Sequence, residues 1–283
     1  MLDLGAGTGA LAWAAAECIP QLDKMTLMES DARMIALGKT LAVAAPHAAI
    51  RDAEWVEADM AGGQFAPHDL VALSYSLGEL PADAASRVLE QAWNAARWML
   101  IIIEPGTPAG FARIRDWRTQ LIASGGNMLA PCPHQRDCPI AGPMPETKIE
   151  SKTETKTGPE TGKDWCHFAQ RVERTALHRR LKGGQLGHED EKFSYIAFSK
   201  VPVTLPEARI IRHPHVAPGV IKLSLCAEDG LRGAVITKRD RAAFRRARHT
   251  YWGANWGEAW DEAGGAEIQT EPRPSRSGGS LGE

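Results

Sequence analysis

Short apolar runs alternate with longer stretches of helical period through residues 1–105. Leu2–Leu4 and the runs 24–28, 53–58, 69–74 and 98–103 read as strands. Ala10–Cys18 and the stretches 32–45 and 82–96 read as helices, the second closed by Pro46, which cannot extend it. The run 98–103 is apolar throughout, as expected of a strand buried on both faces. This alternation predicts an α/β domain, a parallel Rossmann-like sheet with helices on both faces. A helix over 111–122 follows, closed by Gly125-Gly126. Further on, 193–199 predicts a strand that returns to the sheet. The runs 208–212, 220–226 and 233–238, punctuated by Pro214, Pro218 and Asp229-Gly230, predict a small antiparallel β-module.

The pattern lapses twice. Residues 142–163 are rich in Thr, Lys, Glu and Pro, with almost no large apolar side chain, and predict a disordered insert. Residues 266–283 predict a disordered tail. The expected organisation is a sheet domain over 1–126, a cysteine segment over 127–192, the returning strand over 193–200, and the β-module with a basic segment over 206–256. The glycine turn follows the first strand at once, so the chain reads as truncated ahead of that strand.

Composition narrows the classes. The chain has 283 residues, of which 43% are hydrophobic, and a formal net charge of −2. That balance predicts no polyanion partner by itself, so local clusters must carry any such argument. No run is long and apolar enough for a membrane span, and no secretion signal is visible. Five cysteines in a chain of this length are too few for a disulfide scaffold and read as thiolate ligands.

Asp3-Leu4-Gly5-Ala6-Gly7-Thr8-Gly9 lies between a strand and a helix, where glycines let the backbone turn tightly and approach a ligand. Glu29 ends the second strand, where an acidic side chain grips ribose hydroxyls. Asp59 ends the third, where an adenine amine would sit. Asp3 with Gly5, Gly7 and Gly9 resembles the first motif of class I S-adenosylmethionine-dependent methyltransferases, with Asp3 helping to hold the methionine end. A ligand-free Rossmann-like turn is the alternative. The loops after the fourth and fifth strands, 74–81 and 104–107, contain no evident general base or nucleophile.

Cys132, Cys138, Cys166 and Cys226 form the second candidate site. Four thiolates suit an iron–sulfur cluster or a structural zinc, and scattered buried thiols are the third possibility. The paired Cys-x-x-Cys knuckles of zinc ribbons are missing, and Cys-Pro steps stand at Cys132 and Cys138. Cys18 reads as core, and His134 and His167 as neighbours of the ligands or surface residues. The third candidate is the basic run of Lys238, Arg239, Arg241, Arg245, Arg246 and Arg248 with Phe244, Tyr251 and Trp252 among it. Such a run neutralises phosphates and stacks on unpaired bases, or is a solvated helix face. Arg171, Arg174, Arg179, Arg180 and Lys182 form a second basic group.

Together these marks resemble a known family, the methyltransferase-like small ribosomal subunit assembly factors of mitochondria and bacteria. They are the loop 3–9, Leu77-Gly78-Glu79-Leu80, Ile103-Glu104-Pro105-Gly106-Thr107, Pro131-Cys132-Pro133-His134, Asp164-Trp165-Cys166-His167-Phe168, Glu189-Asp190-Glu191-Lys192-Phe193-Ser194-Tyr195, Ala247-Arg248 and Trp252-Gly253. The resemblance covers about residues 2–256. It implies a class I methyltransferase fold that binds S-adenosylmethionine and a 4Fe–4S cluster ligated by Cys132, Cys138, Cys166 and Cys226. It also implies rRNA of the small ribosomal subunit as partner, no membrane, and a cytoplasmic location, or a mitochondrial one in a eukaryote. Some members resemble cofactor-binding assembly factors rather than enzymes, and a non-catalytic RNA-binding assembly factor that keeps the fold as a scaffold is one alternative for this chain. A zinc-containing small-molecule methyltransferase is the remaining alternative. The chain departs from the family in lacking the helical region ahead of the glycine loop and in carrying the 142–163 insert.

Overall fold

The computed structural model describes residues 1–141 and 164–257. The insert expected at 142–163 and the tail expected at 266–283 lie outside the described residues. The chain begins with β1 (Leu2–Leu4), α1 (Ala10–Cys18), β2 (Thr26–Glu29), α2 (Ala32–Ala42), α3 (Ala48–Arg51), β3 (Glu54–Glu57) and β4 (His68–Ser74). It continues through α4 (Ala82–Ala95), β5 (Ala96–Pro105), α5 (Pro108–Ala123), β6 (Asn127–Ala130), β7 (Phe168–Glu173), α6 (Ala176–Lys182) and β8 (His188–Ser199). The last part holds β9 (Ala208–Ile210), β10 (His215–Ala217), β11 (Val220–Ala227), β12 (Gly230–Thr237), α7 (Arg241–His249) and β13 (Asn255–Trp256).

The large sheet runs β3-β2-β1-β4-β5-β8-β6, with β7 paired to β8. β1 to β5 are parallel, whereas β8 runs antiparallel to β5, β6 and β7. The sheet is therefore mixed rather than wholly parallel. Its two faces follow the period of two along each strand. In β4, Val71 and Leu73 enter the core shared with α4 and α5, while Leu70 and Ala72 enter the core shared with α1 and α3. β5 departs from the expectation, because Trp98 is 44% exposed and farther along the strand buried Leu100 and Ile102 alternate with partly buried Ile101 and Ile103. Cys18, expected in the core, closes α1 on its exposed side. The helix expected over 32–45 stops at Ala42, and Arg51 donates to the freed carbonyls of Ala45 and Pro46 at 2.6 and 2.9 Å.

The second sheet has the order β10-β11-β9-β13, with β12 paired to β11, and every pairing is antiparallel. α7 packs on it through Phe244 and Ala247.

The far edge of β8 is shared by two strands. β6 takes its C-terminal end, with Ala130 opposite Ala197, and β7 its N-terminal half, with Phe168 opposite Phe193. The chain thus leaves this edge just before Cys132 and rejoins it just after Cys166. The segment expected over 127–192 supplies β6, β7 and the first residues of β8 to the main sheet. A four-residue rise along β8, about 13 Å, separates its exit from its return.

Thr107 caps α5 by accepting from the Gly110 amide at 3.0 Å, with Pro108 in the first turn. Gly110 is buried there, and an added Cβ would stand inside van der Waals contact of the Pro105 carbonyl oxygen. In an open helix, Gly→Ala gains about 1 kcal/mol. Here Gly110→Ala is expected to lower stability by about 1–3 kcal/mol in urea denaturation, because the obstacle is backbone; a gain would contradict the packing.

Candidate functional site

The glycine loop lines a cleft of about 640 Å³ at the carboxyl ends of β1, β2 and β4. Asp3, Gly5, Gly7, Glu29 and Asp59 all border it, with Tyr75 and Glu79 on the opposite lip. Gly5 and Gly7 have φ of 74° and 56°, in the left-handed region that glycine tolerates. A Cβ on Gly5 would strike Ser76, whereas one on Gly7 would meet nothing, since Gly7 faces the open cleft. Gly9 also has positive φ and stands behind the loop against Leu27 and Trp55.

The acidic side chains of the cleft differ in their hydrogen-bond partners. Glu29 is held by the loop itself, accepting from the amides of Gly7 and Ser30 at 2.8 Å and of Asp31 at 2.9 Å. Asp59 accepts from the Ala61 amide at 2.8 Å. Asp3 is 1% exposed, and neither of its carboxyl oxygens has a hydrogen-bond partner. Burial, helped by the negative charge of Glu29, pushes its carboxyl up to about 7. A buried, unpartnered carboxyl on a cleft wall is suited to a cationic donor.

The loop after β4 is fixed by a contact that sequence reasoning missed. Glu104, buried at the end of β5, accepts from the Gly78 amide at 3.1 Å and pairs with Arg113 at 2.6 Å. Tyr75 has φ of 56°, a left-handed conformation in a residue other than glycine, and stands half exposed at the cleft. Such strain clusters at functional sites. The carboxylate in Ile103-Glu104-Pro105 was visible in the sequence, but its partner nine residues on was not.

The second site lies at the seam between the sheets. Cys132, Cys138, Cys166 and Cys226 line one mostly apolar cavity with Phe111 and Ile211. Cys132 follows β6, Cys166 precedes β7, and Cys226 comes from β11, so three separate stretches meet. Ser194 donates to the Cys166 carbonyl at 2.8 Å, and the Trp165 indole to the Gly106 carbonyl at 2.9 Å. Burial and the neighbouring cysteines raise the Cys166 thiol well above its ordinary value and push Cys226 up to about 12. None of the cysteines is in a disulfide. Among the described residues, no three His, Cys, Asp or Glu side chains are grouped to hold a metal ion.

His134 and His167, expected beside the ligands or at the surface, are buried, and burial lowers both imidazoles. His134 Nε2 lies 3.7 Å from Cys226 Sγ. His167 stacks on Trp165 and meets Trp252 edge-on, each at 5.0 Å between centroids. Two buried arginines, Arg118 and Arg209, also line the cavity and carried no signal in the sequence.

The basic run is partly one surface. Lys238, Arg241, Arg245, Arg248 and His249 surround a shallow concavity beside Phe244. Asp240 caps α7, accepting from the Ala243 amide at 2.9 Å. Arg239 is exposed ahead of the helix, and Arg246 lies over the Trp256 ring at 5.6 Å. The second basic group is largely engaged. Arg171 pairs with Asp190 at 2.8 Å, Arg174 pairs with Glu189, and Arg179 donates to the Arg174 carbonyl at 3.0 Å.

Among the described residues no helix is long and apolar enough to cross a membrane. The human protein named "Ribosome assembly protein METTL17, mitochondrial" is 27% identical over 286 aligned positions, covering 89% of this chain. The chain spans 54% of that relative's length. Among solved structures, the Synechocystis magnesium protoporphyrin IX methyltransferase with bound SAM is 12% identical, covering 71% of this chain and 69% of that one, at a TM-score of 0.40. A putative methyltransferase from Bacillus halodurans is 11% identical over 70% of this chain and 91% of its own, at a TM-score of 0.42. Both likenesses are remote, and the α/β fold rests on the observed strand order. The family described as "Mitochondrial small ribosomal subunit Rsm22" matches residues 1–257, and the chain belongs to that family.

Proposed function

We infer that the protein acts in assembly of the small ribosomal subunit, with S-adenosylmethionine in the glycine-loop cleft and an iron–sulfur cluster on Cys132, Cys138, Cys166 and Cys226. The observation that carries this reading is the meeting of four cysteines from three separate stretches on one buried cavity. Burial raises the Cys166 and Cys226 thiols above their ordinary range, and a bound cation would draw them toward thiolates. The paired Cys-x-x-Cys knuckles of a structural zinc ribbon are absent from the sequence. A cluster spreads its thiolates over several irons, so this donor set suits it better. When bound, a cluster supplies a multi-thiolate cross-link and a one-electron centre.

In the cleft, the unpartnered Asp3 fits the ammonium of the cofactor's methionine end. Glu29 is preorganised by three amides, and its Oε2 retains accepting capacity for a ribose hydroxyl. Asp59 and the glycine amides complete the polar lining. When bound, the cofactor supplies a methyl group on a sulfonium, and positioning at the 74–80 loop is the chain's contribution. The concave face of α7 contacts rRNA phosphates through Lys238, Arg241, Arg245 and Arg248, with Arg239 and Arg246 at its margins. The compartment follows the ribosome, cytoplasm in a bacterium and mitochondrion in a eukaryote.

Three measurements test these assignments. Anaerobically purified protein is expected to carry about four irons and four sulfides per chain, and Cys226→Ser to lose most of both; a colourless, zinc-loaded protein would reject the cluster. For the cofactor, Asp3 is protonated below about pH 7 in the free protein. An ammonium ligand favours its ionised form, so binding releases a proton, and affinity for S-adenosylmethionine rises with pH up to about 7 and falls again above about 8, where the cofactor's own α-amino group loses its proton. Calorimetry should show this rise, with Asp3→Asn binding about 10- to 100-fold more weakly and without the rise; unchanged Asp3→Asn binding would remove Asp3 from the site. For RNA, replacing Arg241, Arg245 and Arg248 together by Ala should reduce the salt slope of small-subunit rRNA binding by about 3, and an unchanged slope would exclude the α7 face.

A further inference from the structure

Two buried cations border the thiol cavity without an acidic partner among the described residues. Arg118 on α5 is 4% exposed and Arg209 on β9 is 9% exposed. Arg118 Nη2 donates to the carbonyls of His134 at 2.9 Å and Arg136 at 2.7 Å, and its Nε has no partner. Arg209 donates from Nε to the Pro131 carbonyl at 2.7 Å and from Nη1 to the Gly253 carbonyl at 2.9 Å. Arg209 also stands directly across the strand pair from Cys226. Among the described residues neither guanidinium makes an ion pair. Their neighbours differ, since Arg115 pairs with Asp116, and Arg212 pairs with Asp164.

The carbonyl contacts explain why long donors stand here, because they clamp the irregular chain around 131–136 and 253. They do not explain the charge. A guanidinium keeps its proton wherever it is buried, and burying it unpaired costs several kcal/mol. A neutral donor could serve two carbonyls without that cost. The cysteines lining the same cavity offer the missing sign. Four thiolates around a cluster make an anion overall, and its burial carries the same cost with the opposite sign.

Taking the cluster reading as its premise, we propose that Arg118 and Arg209 are the counter-charges of the thiolate-held cluster. They set the net charge the cavity accepts and raise the cluster's reduction potential. Both are positioning residues that act on the ligated group through their field. Net charge is among the main determinants of such potentials, and a nearby cation favours the more negative, reduced form.

The test uses the anaerobically purified full chain and the variants Arg118→Gln, Arg118→Lys, Arg209→Gln and Arg209→Lys. Iron and sulfide are counted, and the midpoint potential is read by spectroelectrochemical titration. Each Gln variant is expected to shift to a lower potential, and each Lys variant to stay near the parent, since a lysine beside an anion keeps its proton. Where a Gln variant holds no cluster, its Lys counterpart decides: loading restored by Lys supports the charge role, and loading lost in both overturns it in favour of a clamp. A loaded parent whose potential ignores both Gln changes, or falls equally with Lys and Gln, overturns this proposal alone. A parent without iron or sulfide overturns the cluster reading and this proposal together.

Discussion

Two packed sheets meet over a cavity whose walls are thiols, and the rest of the structure is arranged around that meeting. Phe111 from α5, Ile140 and Trp165 from the cysteine loop, and Ile211, Cys226 and Leu231 from the second sheet form one small apolar cluster there. Its polar members are the costly ones. Cys166 and Cys226 are held un-ionised by burial and by each other's neighbours, while Arg118 and Arg209 stay charged nearby. Buried groups of this kind are compensated in native proteins, by partners or by a bound group. If the proposed cluster fills this cavity, its occupancy is the constraint on which the placement of the second sheet depends.

The fold provides the place for it by splitting an edge. β6 and β7 divide the far side of β8, so the chain is released for the cysteine loop and recaptured on the same strand. Ser194, within β8, holds the Cys166 backbone at the return. The glycine cleft lies on the same sheet at the ends of β1, β2 and β4. Glu104 links the two regions through the chain, since it fixes the 74–80 loop at the cleft while Arg113, its partner, lies on α5 with Phe111, Ile114 and Arg118 of the cavity. The cleft and the cavity thus share α5 as a common support.

Much of this was legible in the sequence, for reasons that differ by element. The strands β1 to β5 and the helices α1, α2 and α4 follow from local period and from Gly, Pro and Asp at the turns, whereas the single turn of α3 was not foreseen. α1 matches its expected bounds, and α5 extends the expected 111–122 helix to Pro108–Ala123. The four cysteines were legible as a set because sulfur in this pattern has few other uses. β6, β7, β10 and β13 were not, because each is short and takes its strand form from a partner far along the chain. The N-terminal half of β8, with its His-Glu-Asp-Glu-Lys start, looks like a solvated loop and becomes a strand only through pairing with β7. Arg118 and Arg209 were invisible for a further reason. Nothing local marks an arginine as buried, and their acceptors are backbone carbonyls that carry no sequence signal.

The central claim is that a group bound at the thiol cavity holds the second sheet to the first. Hydrogen exchange followed by mass spectrometry, on anaerobic protein before and after chelation of its metal, tests this most directly. The account predicts that chelation raises exchange together in 131–139, 164–168, β9, β11 and α7, while β1, β4 and β5 keep their protection. Equal protection of the second sheet in both samples would contradict it.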